Sequence, residues 1–88
     1  MTSYNVELGT SWVQISDNED YILQNVSTVI GNTTAMEVLV KASDSEPTST
    51  SASLVLSYRD VISSNVLNGV IWARSADNTV TATVSYAK

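Results

Sequence analysis

Apolar and polar residues alternate with a period of two along most of the chain. The clearest example is the range 79–86, in which apolar residues at every second position are separated by Thr and Ser. Such alternation is typical of strands with one face toward a core, and no window shows the period of an amphipathic helix. Turn-forming residues separate about seven such segments. The sequence therefore predicts an all-β chain, a small antiparallel β-sandwich of jelly-roll-like or Greek-key type with about seven short strands.

The predicted strands have turns between them and form a single domain that covers residues 1–88. Turns are expected at the acidic segment 17–20, at Gly31-Asn32 and at Asn68-Gly69, where residues tolerate positive φ. Arg59-Asp60 is expected to bend one strand. The last two strands, separated by the polar segment 76–78, are expected to form a hairpin. The predicted strands are 4–8, 11–15, 21–26, 36–42, 53–62, 70–75 and 79–86.

A polar loop near residues 43–52 interrupts the strand pattern. It has few apolar residues and holds the only proline of the chain. It is either a plain connection between strands, which we favour, or a loop that becomes ordered against a partner. In the second case the candidate partner-contacting residues are Ser45, Glu46, Pro47 and Thr48.

Three segments are apolar on both faces of their strands: Tyr21-Ile22-Leu23, Leu54-Val55-Leu56 and Val70-Ile71-Trp72. In an isolated sandwich the outward face of a strand is expected to be polar. Such a strand is either central and covered by a loop or part of a subunit interface, and the number of such segments favours the interface. The candidate interface or core anchors are Trp12, Tyr21, Leu23, Val55, Val70 and Trp72.

Composition excludes several kinds of site. The chain has no Cys and no His, which removes disulfides, the usual zinc ligands and Ser-His-Asp or Cys-His catalysis. We expect no enzymatic activity and no cofactor. A chain of 88 residues buries only about 60–65% of its unfolded surface, so its core is small. Oligomerisation or docking on a partner is the remaining way to supplement it.

The net charge of −5 and the few cations give no basic stripe, so no nucleic-acid partner is expected. No signal peptide and no run of about 20 apolar residues is visible, so no membrane partner is expected. The acidic segment 17–20 lacks the spacing of an EF-hand loop, which leaves calcium as a minor alternative. Trp12 and Trp72 are able to stack on sugar rings, although a place in a core or interface is favoured.

Four segments together resemble the small β-sandwich virion structural proteins of tailed bacteriophages. They are a tryptophan strand (11–15), a "YxxQN" strand (21–25), a "VWARS"-like strand (69–75) and the closing strand (80–85). The resemblance implies a structural subunit that decorates or cements the capsid, or forms part of a tail or fibre. It further implies a symmetric homo-oligomer, with a trimer favoured, that docks on the major capsid protein or another virion protein. Its location is then the virion, after synthesis in the host cytoplasm.

Two other functions stay open. A tail- or fibre-associated carbohydrate- or receptor-binding module predicts exposed aromatic residues in a shallow groove. A small inhibitor of a host protein predicts acids clustered on one surface, whereas the nine acids are dispersed along the sequence. The inhibitor is the less favoured of the two.

Overall fold

The computed structural model describes residues 3–26, 37–49, 51–57, 59–76 and 82–87, and these residues form eight strands. The described part of the chain contains no helix that is able to cross a membrane. The strands are β1 (Ser3–Leu8), β2 (Val13–Asp17), β3 (Ile22–Asn25), β4 (Val38–Ala42), β5 (Leu54–Leu56), β6 (Val61–Ser63), β7 (Val70–Ser75) and β8 (Ala82–Ala87).

The eight strands form two antiparallel sheets of four. Sheet I has the order β1-β8-β3-β6, and sheet II has the order β2-β7-β4-β5. The pairing is nested, because β1 pairs with β8, β2 with β7, β3 with β6 and β4 with β5. This is the strand order of a jelly roll. The predicted small antiparallel sandwich is confirmed, with eight strands rather than about seven.

Every strand contributes at least one buried residue to the core between the sheets. Side chains alternate across a strand, so the apolar residues of each alternating segment reach the core together. A bulge between Gln14 and Ser16 interrupts this alternation in β2, and both Ile15 and Ser16 are buried there. The buried apolar cluster contains Leu8, Ile15, Tyr21, Leu23, Val38, Val40, Leu56, Ile62, Ile71, Ala73 and Val84.

The prediction of one bent strand over residues 53–62 is wrong. The segment forms two three-residue strands, and β5 belongs to sheet II whereas β6 belongs to sheet I. Arg59, in the connection between them, has a positive φ of 70°. The carboxylate of Asp60 accepts a hydrogen bond of 2.8 Å from the backbone N–H of Ser57 and closes the turn. The predicted bend is thus a crossover between the sheets.

The predicted hairpin between the last two strands is also wrong. β7 pairs with β2 and β4, whereas β8 pairs with β1 and β3 in the other sheet. Alternation identifies a strand and its buried face, but it does not identify the partner strand. The connecting residues 77–81 and the Gly31-Asn32 turn lie outside the described residues.

Candidate interaction surfaces

Sheet II is crossed on its outer face by the start of the β4–β5 connection, residues 43–49, which we call the strap. The indole N–H of Trp72 donates a hydrogen bond of 2.9 Å to the carbonyl of Ser43, where the strap leaves β4. The indole N–H of Trp12 donates one of 2.9 Å to the carbonyl of Ser49. Trp12 precedes β2, the edge strand beyond β7. The strap therefore runs from β4 across β7 toward β2.

Two side chains at or beside the strap, Trp12 and Pro47, are buried although neither belongs to the core cluster. Trp12 is only 8% exposed although it lies outside the sandwich core. Pro47, in the middle of the strap, is also buried. The guanidinium carbon of Arg74 lies 5.9 Å from the centroid of the Trp12 ring, within the range of a cation–π interaction. The aromatic residues at this face are therefore covered by the chain itself.

This cover explains why β7 is apolar on both faces. Ile71 and Ala73 are buried in the core, and Val70 and Trp72 are half-buried on the outer face. A strand that is apolar on both faces was expected to be either covered by a loop or part of a subunit interface. In this structure β7 is a central strand that a loop covers. Within the strap, Ser45, Glu46 and Thr48 are exposed whereas Pro47 is not. Three of the four predicted partner-contacting residues are thus accessible.

Two of the predicted anchors belong to the sandwich core. Leu23 is fully buried and Tyr21 is 2% exposed. The phenol of Tyr21 donates a hydrogen bond to the carbonyl of Leu67, and burial raises the pKa of this phenol. Val55 alone among the six predicted anchors is exposed, at 45%, on the outer face of the edge strand β5. Leu39, its neighbour in β4, is half-buried.

The outer face of sheet I is the second large surface. At the β6 edge of this face, the side-chain amide of Gln24 donates a hydrogen bond of 3.3 Å to the carbonyl of Arg59 in the β5–β6 connection. The pairing registers place Asn5, Ser85, Gln24 and Val61 in one row across the four strands. The residues next to this row point the other way: Val84, Leu23 and Ile62 are buried in the core, and Val6 is half-buried against it, so the row faces outward. Ile22 lies beside the row and is 44% exposed, and Val61 is 54% exposed.

The outer face of sheet I carries little charge. Besides Asn5, Ser85, Gln24, Val61 and Ile22, its described side chains are Ser3, Glu7 and Ser63. Glu7 is the only charged residue among them. Ile22 belongs to one of the segments that the sequence shows to be apolar on both faces. Val61 was not recognised as an outward residue, because residues 53–62 were interpreted as one strand. With a break at Arg59, β6 is a separate strand in which Ile62 faces the core and Val61 faces outward.

The acidic turn forms one wall of an open polar depression of about 500 Å³. Asp20 accepts a hydrogen bond of 3.3 Å from the Ser64 hydroxyl across this depression, and the N–H of Asn18 donates one of 2.9 Å to the carbonyl of Gly69. No group of three or more His, Cys, Asp or Glu residues in the described ranges is arranged to hold a metal ion. The lining residues are Asn18, Glu19, Asp20, Ser64, Asn65, Asn68 and Gly69.

Comparison of the chain with models of known protein families, with curated protein sequences and with solved structures gave no match.

Proposed function

We propose that the chain is a bacteriophage virion structural protein, a capsid decoration subunit that stabilises the particle by self-association and by docking on the major capsid protein. The observation that carries this proposal is the outer face of sheet I. It presents exposed Ile22 and Val61 among uncharged polar side chains, with Glu7 as its only described charge.

A surface of this composition suits a protein partner. The central parts of protein interfaces are depleted of charged residues, because burying an unpaired charge costs far more than burying Ser, Asn or Gln with a partner. Burial of exposed aliphatic side chains contributes about 25 cal/mol per Å² of apolar area removed from water. Ile22 and Val61 supply that area, while Asn5, Gln24 and Ser85 supply donors and acceptors that fix the orientation.

The make-up of the face fits attachment in many copies. Only two exposed aliphatic side chains, Ile22 and Val61, lie on its described part, so we expect one docked copy to bind weakly. Weak contacts become strong when copies are linked, because effective concentration makes each later contact intramolecular. The jelly roll recurs in viral capsid and lectin domains, which supports the proposal only at the level of fold analogy.

The first test is the protein content of purified virions of the phage that encodes the chain. Trypsin cleavage after Lys41, Arg59 and Arg74 gives two diagnostic internal peptides, residues 42–59 and 60–74. We expect both peptides in purified particles, in amounts comparable to peptides of the major capsid protein. Their presence in infected-cell extract but not in particles would refute a virion role.

A second test locates the docking face with a matched pair of variants. Val61→Asp places a charge on the outer face of sheet I, whereas Val66→Asp places one in the β6–β7 connection at a side chain that is 65% exposed. We expect Val61→Asp to weaken binding to capsids at least about tenfold, a loss of about 1.4 kcal/mol. Val66→Asp should bind as the unaltered protein does. Equal binding by both variants would exclude this face, provided that circular dichroism shows both to be folded.

A glycan-binding module is the second candidate, and the polar depression beside the acidic turn is the observation that favours it. Its carboxylates and amides suit sugar hydroxyl groups, which both donate and accept hydrogen bonds. The two tryptophans offer less support, since stacking on a sugar needs an exposed ring face, whereas Trp12 is only 8% exposed and Trp72 is half-buried. Isothermal titration with host-surface polysaccharide tests this function, and Asn68→Ala should abolish any heat of binding that arises in the depression.

A further inference from the structure

We propose that β1 pairs antiparallel with β1 of a second copy of this chain, so that two copies of sheet I join into one continuous sheet. An edge strand presents a row of N–H and C=O groups that is open to another strand, and proteins usually protect such edges. The sandwich has four edge strands, β1, β6, β2 and β5. Three of them are either very short or interrupted by a bulge, whereas β1 is neither within the described residues.

The three protected edges use short length or a bulge. β5 and β6 have three residues each, which is too short for an extended ladder. β2 is interrupted by the bulge between Gln14 and Ser16, and Trp12 at its start is held by the strap. A bulge twists a strand and breaks the regular spacing of its outward hydrogen-bonding groups.

β1 has none of these features. Its six residues pair with β8 in an unbroken register from Ser3 to Leu8. It contains no Pro and no Lys, the residues that commonly discourage pairing at an edge, and its single charge is Glu7. Within the described residues β8 is its only strand partner. The other side of β1 is therefore the longest regular edge of the described sandwich.

A second copy fits this edge by symmetry. A two-fold axis perpendicular to the sheet keeps both outer faces on the same side, so outward residues of β1 must lie opposite outward residues of its mate. Two centred registers satisfy this condition: one places Asn5 opposite Asn5, and the other places Asn5 opposite Glu7. In the first, Glu7 lies opposite Ser3. Neither register sets two acids against each other, which is the cross-strand arrangement that destabilises pairing.

The continuous sheet also joins the two charge-poor outer faces. In the dimer, the outward row of one copy continues across the paired β1 strands into the same row of the other copy, which doubles the area offered to a further partner. The row contains Asn5, Ser85 and Gln24. The inference deepens the self-association named in the proposed function by giving its geometry, and it holds whether or not the further partner is a capsid. It predicts a two-fold dimer as the basic unit, in place of the trimer favoured by the resemblance.

Cysteine cross-linking tests the pairing directly, because the natural chain contains no Cys. Directly opposite residues of antiparallel strands have Cα atoms about 4.5–5.5 Å apart, within the range that a disulfide spans. In the first register, Asn5→Cys alone should form a disulfide-linked dimer under mild oxidation. In the second, the dimer should form when Asn5→Cys and Glu7→Cys are mixed. Both positions are exposed, so neither variant should disturb the fold.

Ser85→Cys is the matched control, since it lies on the same outer face beside Asn5 but on an internal strand. Edge pairing leaves it uncross-linked. Cross-linking of Ser85→Cys as fast as the β1 variants would mean that copies associate face to face, and this would overturn the proposal. Failure of both β1 variants to exceed the control would overturn it as well. The experiment uses purified protein alone, so its result does not depend on the virion test.

Light scattering of the Asn5→Lys variant provides a second measurement. The two registers predict opposite changes in the dissociation constant of the dimer. In the first, Lys lies opposite Lys and the dimer dissociation constant should rise by at least about tenfold. In the second, Lys lies opposite Glu7 and the dimer should tighten. An unaltered protein that stays monomeric at every concentration, or an Asn5→Lys variant with an unchanged dissociation constant, would refute edge pairing.

Discussion

The buried amide of Asn25 joins the two sheets at a single residue. Its Nδ2 donates a hydrogen bond of 2.9 Å to the carbonyl of Leu56 in β5, on the other sheet. Its backbone N–H donates to the carbonyl of Asp60 at 3.0 Å, and its carbonyl accepts from the N–H of Arg59 at 2.7 Å. Asn25 therefore holds the crossover between β5 and β6 with both its backbone and its side chain.

Replacing Asn25 with Ala should lower the free energy of unfolding by about 1–3 kcal/mol, because the buried carbonyl of Leu56 loses its donor. Urea denaturation measures this loss. Asn65→Ala, at an exposed residue of the β6–β7 connection, is the control and should change stability by less than about 0.5 kcal/mol. A loss for Asn25→Ala no larger than the control would mean that the amide does not hold the crossover.

The phenol of Tyr21 makes stability depend on alkaline pH. Burial raises its pKa above the ordinary 10.0, so the folded state favours the neutral phenol and the unfolded chain loses this proton first. The stabilisation is therefore complete below about pH 10 and is lost as the pH rises toward the pKa of the folded state. Tyr21→Phe cannot ionise. Unfolding titrations between about pH 8 and 11 should show the unaltered protein losing stability relative to Tyr21→Phe.

At the scale of elements, the β6–β7 connection depends on one glycine. Gly69 has a φ of 111°, a conformation that side chains with a Cβ rarely adopt, and its carbonyl accepts the N–H of Asn18. Gly69→Ala should lower the free energy of unfolding by about 1 kcal/mol or more. Gly9→Ala is the matched control, since neither a left-handed φ nor a nearby atom opposes a Cβ there. Equal stability of the two variants in urea would contradict the role of the turn.

Strand positions could be predicted from the sequence better than strand partners. Alternation places β1, β3, β4 and β7 within a few residues of their observed bounds, because a period of two reports only which side chains face a core. It contains no information on which sheet a strand joins. That choice depends on long-range closure, and so both the crossover at Arg59 and the separation of β7 from β8 were missed.

The candidate surfaces were predictable only in part. Val55 was grouped with the candidate interface or core anchors, and it is exposed. Trp12 was grouped with the same candidate interface or core anchors, and it is buried beside the strap, to which its indole N–H donates a hydrogen bond. The sequence could not reveal this contact, since the polar loop holds Trp12 through a backbone carbonyl that any residue at position 49 supplies. The unprotected edge of β1 becomes visible only when the strand order is known.

For the whole molecule, self-association should make thermal stability depend on concentration. An 88-residue sandwich without disulfides has a small core, and a partner that binds only the folded state stabilises it by mass action. A tenfold increase in protein concentration should raise the midpoint of thermal unfolding by about 3–8 °C. Calorimetry at several concentrations measures this shift. Adding an inert protein at equal mass is the control, and a constant midpoint would argue for a monomer.

The nested pairing of strands also sets the order in which the chain is able to fold. Only β4 and β5 are neighbours both in sequence and in a sheet, so theirs is the pair that closes the shortest segment. Each outer pair closes a longer segment, and the loss of chain entropy grows with its length. β8 lies between β1 and β3, so sheet I cannot assemble on the ribosome until β8 has emerged. Until then β1 lacks the only strand with which it pairs in the described structure, and its backbone is open to chaperones and to the nascent chains of neighbouring ribosomes.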